Sequence, residues 1–246
     1  MDFSKAFDRV DHQILCSKLN SWGFSNNLVK LLMSYFSFRR QTVSYNGFCS
    51  KDYYSFLGVL QGSLLGPLLF DIFIDDIFDV VKNCQVLLFA DDMKIFRSIN
   101  CSWDCELVQS DLNGIIMWCV ANGLCLNESK CNVMSFTRGL RTFGYNYQIG
   151  SFTLSRPDFI NDLGITFDNK LNFNEHVSNV VRDASKMSGF LWRNCSSFNV
   201  LTLKIFFSVF VRTKLEYASI VWHPIYICQS IQLEKMQRNF LKLLYY

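Results

Sequence analysis

The stretch FADDMKIF, residues 89–96, sets two carboxylates, Asp91 and Asp92, side by side between apolar runs that both read as strands. Like charges repel, so acids at the tip of a hydrophobic hairpin are either turn residues or share a counter-ion. Asp is common in tight turns because its side chain bonds nearby backbone N–H groups and tolerates unusual dihedrals. A hard divalent cation such as Mg2+ takes oxygen ligands and would remove the repulsion. The surrounding chain has to decide between the two.

With 246 residues, 50% hydrophobic and 16% aromatic, the chain has ample material for a packed core in one large domain or two small ones. That composition excludes a disordered chain. The start, MDFSKAFDRVDH, has no basic-then-apolar leader, and IFFSVFV at 205–211 is too short to span a bilayer. The expectation is a soluble, intracellular protein, nuclear or cytoplasmic, not secreted and with no membrane partner. Ten cysteines are scattered without any CxxC, so most are expected to be reduced and buried. Cys101 and Cys105 come nearest to a metal spacing but have no histidine close by, so no zinc module is expected. Charge is unevenly spread. From residue 171 onward there are 9 Lys and Arg against 4 Asp and Glu, a net of +5, whereas the preceding part carries 15 against 17, a net of −2. Such asymmetry suits a metal-binding body beside a surface that meets polyanions.

Outward from the hairpin, residues 11–36 carry helical spacing broken at WGFSN, which predicts two helices with a short corner. RRQTVSYNGFCSKDYYSFLGV reads as a strand pair about the Asn46-Gly47 turn. QGSLLGPLLFDIFIDDIFDVV passes from a glycine-rich loop into a helix starting near Pro67. Residues 104–122 predict an amphipathic helix with Leu107, Val108, Leu112, Ile115, Ile116 and Cys119 inward, ending near Gly123. CLNESKCNVMSFT leads into a strand, NYQIGSFTLS and DFINDLGITFDN add short strands, and residues 175–246 look helical. Mixed α and β followed by mostly α makes the fold class α+β with a helical appendage.

A third acid comes from the other end of the chain, where DFSKAFDRVDH at 2–12 puts Asp2 on a short apolar strand. Asp8 and Asp11 fall where acids favour the start of the next helix. Between the acidic segments lies GVLQGSLLGPLLF. Its glycines let backbone approach a ligand closely, and the helix behind it aims its N-terminus there, which suits phosphate. It is not a Walker loop, because Gly-Lys-Ser/Thr is missing.

Taken in order, DFSKAFD, GVLQGSLLGPLLF and FADD resemble motifs A, B and C of reverse transcriptases, specifically those of jockey-like and related LINE-type non-LTR retrotransposons. LNESKC resembles motif D, and LGITFD the strand preceding the thumb. The resemblance implies a right-hand polymerase palm, a small antiparallel sheet backed by helices, over residues 1–170 with a partial fingers insertion at about 36–57. A helical thumb would occupy 171–246. It further implies an RNA-directed DNA polymerase that adds dNTPs to a DNA primer on an RNA template. Asp2, Asp91 and Asp92 would be the catalytic acids holding two Mg2+ ions, for which Mn2+ could substitute, roughly 3.5 to 4 Å apart.

Further roles carry over by position. Phe7, five residues beyond Asp2, matches the aromatic steric gate against a ribose 2′-hydroxyl. Gln61 and Gly62 match the motif B pair lying against the incoming nucleotide, and Lys130 the motif D lysine that serves the pyrophosphate. Arg39 and Arg40 are candidates for phosphate contact. Arg182, Lys186 and Arg193, with Lys204, Arg212 and Lys214, would form a thumb surface tracking nucleic-acid backbone without reading sequence. In the tail, Leu233, Met236, Phe240 and Leu244 fall on one helical face, and Lys235, Arg238 and Lys242 on another. The chain departs from the family in having Leu60 where Pro is usual, and in beginning one residue before Asp2, which reads as an N-terminal truncation. A catalytically silent retroelement remnant that folds and at most binds nucleic acid is therefore the alternative expectation.

Overall fold

The structure, a computed structural model, describes residues 1–137, 139, 143–195, 197–224 and 226–245, with side chains described as far as 242; Leu244 of the tail's apolar face lies outside them. The chain forms two compact units. One comprises Met1–Val133 with Phe143–Arg156, the other Met134–Thr142 with Pro157–Tyr246.

In the first unit, α1 (His12–Ser21) starts where expected because Asp11 caps it, its carboxylate accepting from the Gln13 and Ile14 N–H groups at 2.8 and 3.0 Å. Asp8 does something else: its carboxylate accepts from Gln61 Nε2 at 3.0 Å. After the corner, α2 (Asn26–Phe36) is capped by Ser25. Two nested antiparallel pairs follow, β1 (Arg39–Gln41) with β4 (Tyr53–Ser55) and β2 (Ser44–Tyr45) with β3 (Phe48–Cys49). The inner pair turns at Asn46 and Gly47, both at positive φ, as a tight primed turn demands. Next, α3 (Leu65–Ile74) begins two residues before Pro67, which stands within its first turn.

The five-residue strands β5 (Gln85–Phe89) and β6 (Asp92–Phe96) form the central hairpin, followed by α4 (Ser102–Ala121). Along β6, Met93 is fully buried, so by the two-residue alternation Asp92 faces the opposite way. The core of this unit gathers Leu15, Leu19, Phe36, Phe70, Phe73 and Ile115, together with Met93 of the hairpin. Truncating Phe70, 0% exposed, to Ala would cost about 3–5 kcal/mol. Beyond α4 the strand expected in CNVMSFT is reduced to one parallel bridge, Asn132 with Ser155. A minimal pair, β7 (Gln148–Ile149) with β8 (Phe152–Thr153), completes the unit.

In the second unit, β9 (Phe159–Asp162) pairs with β10 (Ile165–Asp168), and the rest is helical. The helices are α5 (Asn174–Cys195), α6 (Val200–Phe206), α7 (Thr213–Glu216), α8 (Ser219–Trp222) and α9 (Ile227–Tyr245), with a π-helical stretch, Phe207–Arg212, joining α6 to α7. The wide turn lets Phe207 stack on Phe240 of α9 with ring centroids 4.0 Å apart. All ten cysteines are free thiols, but only Cys16, Cys105, Cys119 and Cys131 are buried, fewer than expected. Among the described residues no helix is long and apolar enough to cross a membrane.

Candidate active site

Acids 90 residues apart in the sequence, Asp2 and Asp92, are brought together by backbone pairing. Met1 and Met93 exchange both of their hydrogen bonds, Met93 N–H to Met1 carbonyl at 3.0 Å and Met1 nitrogen to Met93 carbonyl at 2.7 Å. The next pair along the ladder, Asp2 opposite Asp92, is therefore of the non-hydrogen-bonded kind. In such pairs the side chains share a face and the α-carbons lie only about 4.5 Å apart. On its other edge the same segment bridges Phe3 to Leu126, with Asn127 N–H donating to Asp2 carbonyl at 2.8 Å and Ser4 N–H to Cys125 carbonyl at 2.8 Å. Residues 1–4 thus lie between β6 and residues 125–127. Phe3 faces the core at 2% exposure, which turns Asp2 outward beside Asp92.

Two carboxylates on the closest kind of cross-strand pair would destabilise the sheet without a cation. One is supplied by the fold: Lys130, in a short 3-10 turn after residue 127, places Nζ 3.2 Å from Asp2 Oδ2. Asp91 occupies the second position of the two-residue turn, after Ala90, whose φ of 51° is strained for a residue with a Cβ. Among the described residues no three His, Cys, Asp or Glu side chains are gathered closely enough to hold a metal. Asp2 and Asp92 face each other, while Asp91 stands beside them in sequence without closing a three-ligand cage. The donors are all hard carboxylate oxygens, and a cation, the Lys130 ammonium, is already drawn to them; that chemistry fits Mg2+.

The loop before α3 is welded to the segment after Asp2. Gly58 N–H donates to Val10 carbonyl and Val59 N–H to Phe7 carbonyl, each at 2.8 Å, and a ring nitrogen of His12 lies 2.8 Å from the Gly58 carbonyl. Gly58 has φ 90°, and a Cβ there would sit 2.9 Å from Asp8 Cα and the Phe7 carbonyl. Gln61, bonded to Asp8, and Gly62, at φ 82° with open space where a side chain would stand, are both exposed. Phe7 is half-buried and stacks on Phe70, ring centroids 4.6 Å apart.

The basic candidates are more dispersed. Arg39 and Arg40 belong to β1. Arg39 lies over the Tyr35 ring at 5.7 Å, and Arg40 pairs with Asp52 at 2.9 Å. In the second unit Arg182, Lys186 and Arg193 line one exposed stripe of α5, opposite the buried Val177, Ala184 and Leu191. Lys186 pairs with Asp183 at 3.3 Å, and on neighbouring helices Arg212 pairs with Glu216 and Arg238 with Glu234.

Spacing alone missed Arg97, Asp104 and Asp111. The acids lie on α4 at 9% and 3% exposure, and Arg97 follows β6. Asp104 is held low, at about 2, by the Asn100 N–H and the Arg97 guanidinium. Burial pushes Asp111 up, but N–H groups of Asn83 and Lys82 outweigh it and leave the carboxyl below its usual value.

Comparison with known proteins shows the family to which the chain belongs. The family described as "Reverse transcriptase (RNA-dependent DNA polymerase)" matches residues 1–189. The chain is 29% identical over 188 residues to the "RNA-directed DNA polymerase from mobile element jockey" of Drosophila funebris, covering 73% of this chain and 20% of that protein. It is 31% identical over 191 residues to the "Probable RNA-directed DNA polymerase from transposon BS" of Drosophila melanogaster, covering 74% and 21%. The corresponding X-element protein of that fly is 29% identical over 198 residues, covering 78% and 22%. The chain thus spans about a fifth of the length of these curated relatives.

Proposed function

We propose that the chain, which belongs to the reverse transcriptase (RNA-dependent DNA polymerase) family, is the polymerase region of a jockey-like, non-LTR retroelement and extends a DNA primer on an RNA template. By family it is a nucleotidyltransferase. The observation that supports the reading most is Asp2 opposite Asp92 in a close pair on an open sheet face, with Asp91 beside them and a lysine drawn in. In this account residues 1–170 are the palm, with a fingers insertion at about 36–57, and residues 171–246 the helical thumb. The activity belongs inside the cell, in nucleus or cytoplasm.

Asp2, Asp91 and Asp92 would hold two Mg2+ ions through their carboxylate oxygens; Mn2+ has the same ligand preference for oxygen. When bound, such a pair supplies the charge that activates a primer 3′-hydroxyl and stabilises the departing pyrophosphate. The side chains do the rest. Phe7, braced by Phe70, presents a ring edge to the sugar and leaves no room for a 2′-hydroxyl. Gln61, anchored on Asp8, and Gly62, whose bare backbone admits close approach, lie against the incoming dNTP and its template base. Lys130 gives a proton to the pyrophosphate. Arg39, Arg40 and the α5 stripe hold phosphate backbone without reading bases.

Primer extension by the full chain, on an RNA template with Mg2+ and dNTPs, tests the proposal. A template-dependent ladder that vanishes in Asp91→Ala supports it. Metal-dependent shortening of a labelled strand with no dNTP requirement would replace it with a nuclease.

A further inference from the structure

The hairpin that carries Asp91 and Asp92 is gripped at its base by α4. Asp111 accepts four hydrogen bonds at the entry: Asn83 and Cys84 N–H at 2.7 Å each on Oδ2, with Lys82 N–H at 3.2 Å and Asn83 Nδ2 at 2.8 Å on Oδ1. Two helical turns earlier, Asp104 grips the exit. It accepts from Asn100 N–H at 2.9 Å and Cys101 N–H at 3.2 Å on Oδ2, and from Arg97 Nε and Nη2 at 3.2 and 3.0 Å on Oδ1. Arg97 closes the ring by donating Nη1 to the Asn83 carbonyl, so entry and exit are tied to each other as well as to the helix.

Two nearly buried carboxylates are a costly way to finish a loop, because each must be fully hydrogen-bonded to be tolerated there. Ordinary turn residues would satisfy the same backbone groups. What the network adds is rigidity at the root of a cantilever. Strands of five residues reach about 16 Å, so a tilt of about 4° at the base displaces the tip by about 1 Å. A misplacement of that size costs on the order of a hundredfold in a positioned reaction. We propose that Asp111 and Asp104, through Arg97, are positioning residues that fix the hairpin so that Asp92 stays opposite Asp2 with Asp91 beside it in sequence, the three acids on which a divalent cation would draw. The claim rests on the polymerase reading of the same acids.

The test compares Asp111→Asn and Asp104→Asn with Leu19→Ala, a core change on α1, which packs on α2 and α3. For each folded protein, Mn2+ affinity is read by electron paramagnetic resonance and amide exchange across residues 85–96 by mass spectrometry. The expected result is faster exchange in the hairpin and a 10- to 100-fold loss of Mn2+ affinity in the Asp variants, the range typical for groups that orient ligands. Leu19→Ala should lose comparable stability and keep wild-type affinity. If an Asp variant does not fold, Arg97→Lys, which keeps the charge but loses the fork, takes its place with the same expectation. Wild-type affinity in the Asp variants, or an equal loss in Leu19→Ala, overturns the proposal and leaves the polymerase reading standing. A wild-type chain that binds no Mn2+ overturns both. One that binds Mn2+ through the clamped hairpin yet extends no primer overturns the polymerase reading and supports the clamp.

Discussion

At 3.2 Å from Asp2, Lys130 is both the counter-ion of that carboxylate and the proposed proton donor, and two substitutions separate the roles. Lys130→Ala removes both. Lys130→Arg keeps a cation for Asp2 but cannot release a proton, since a guanidinium stays charged. If proton donation is its task, both variants lose about 10²- to 10⁴-fold in kcat, with the KM for dNTP little changed in the Arg variant. Single-turnover incorporation measures this, and an active Lys130→Arg would reduce the residue to a counter-charge. As an ion pair, Lys130 with Asp2 contributes little to stability, because the lysine is 67% exposed and well screened.

At the level of elements, the weld between the loop at Gly58 and the segment after Asp2 is a tight backbone approach near the site. Gly58→Ala combines a left-handed φ with a 2.9 Å contact and is expected to lower stability by about 1–3 kcal/mol, read from urea unfolding midpoints. An unchanged midpoint would mean that the loop is free to shift. In the second unit, His176 is 3% exposed; its Nδ1 accepts Thr166 N–H at 3.2 Å, and its Nε2 has no partner among the described residues. Burial lowers its pKa from 6.5, so between that value and the folded one the unfolded chain binds more protons. Stability therefore falls as pH drops below about 6.5. Melts from pH 7.5 to 5.5 should show this slope in the wild type and a smaller one in His176→Asn, which can still accept from Thr166. Much of this was legible in the sequence: the α1–α2 corner, the Asn46-Gly47 turn and the β5–β6 hairpin all follow from local periodicity and turn chemistry. Asp104 and Asp111 were not, because an acid on an amphipathic helix reads as solvent-facing until the backbone that satisfies it is known, and for Asp111 that backbone lies 27 to 29 residues earlier. The strand expected after Cys131 failed for a related reason: its residues suit a strand, but they make one isolated bridge, Asn132 with Ser155, and no continuous ladder among the described residues.

Across the whole molecule, net charge passes from −2 before residue 171 to +5 from there onward, and Arg182, Lys186 and Arg193 give the second unit one basic stripe. Replacing all three with Ala should weaken primer–template binding alike for every sequence and reduce the salt slope, log Kd against log salt, by about three. An unchanged slope would leave the stripe as a solvated helix face. The motifs were readable as an ordered set because each keeps its residues within a short span. Their meeting was not, since Asp2 reaches Asp92 only through a ladder between segments 90 residues apart. That meeting is the central claim, and incorporation of a single dNTP opposite each template base, by the wild-type chain and by Asp2→Asn and Asp92→Asn, tests it most directly. The wild type is expected to add only the complementary dNTP. Each variant should keep its circular dichroism spectrum and primer–template affinity while losing at least about a hundredfold in rate. Folded wild-type protein that binds primer–template and adds nothing, or variants that add as fast as the wild type, would contradict it.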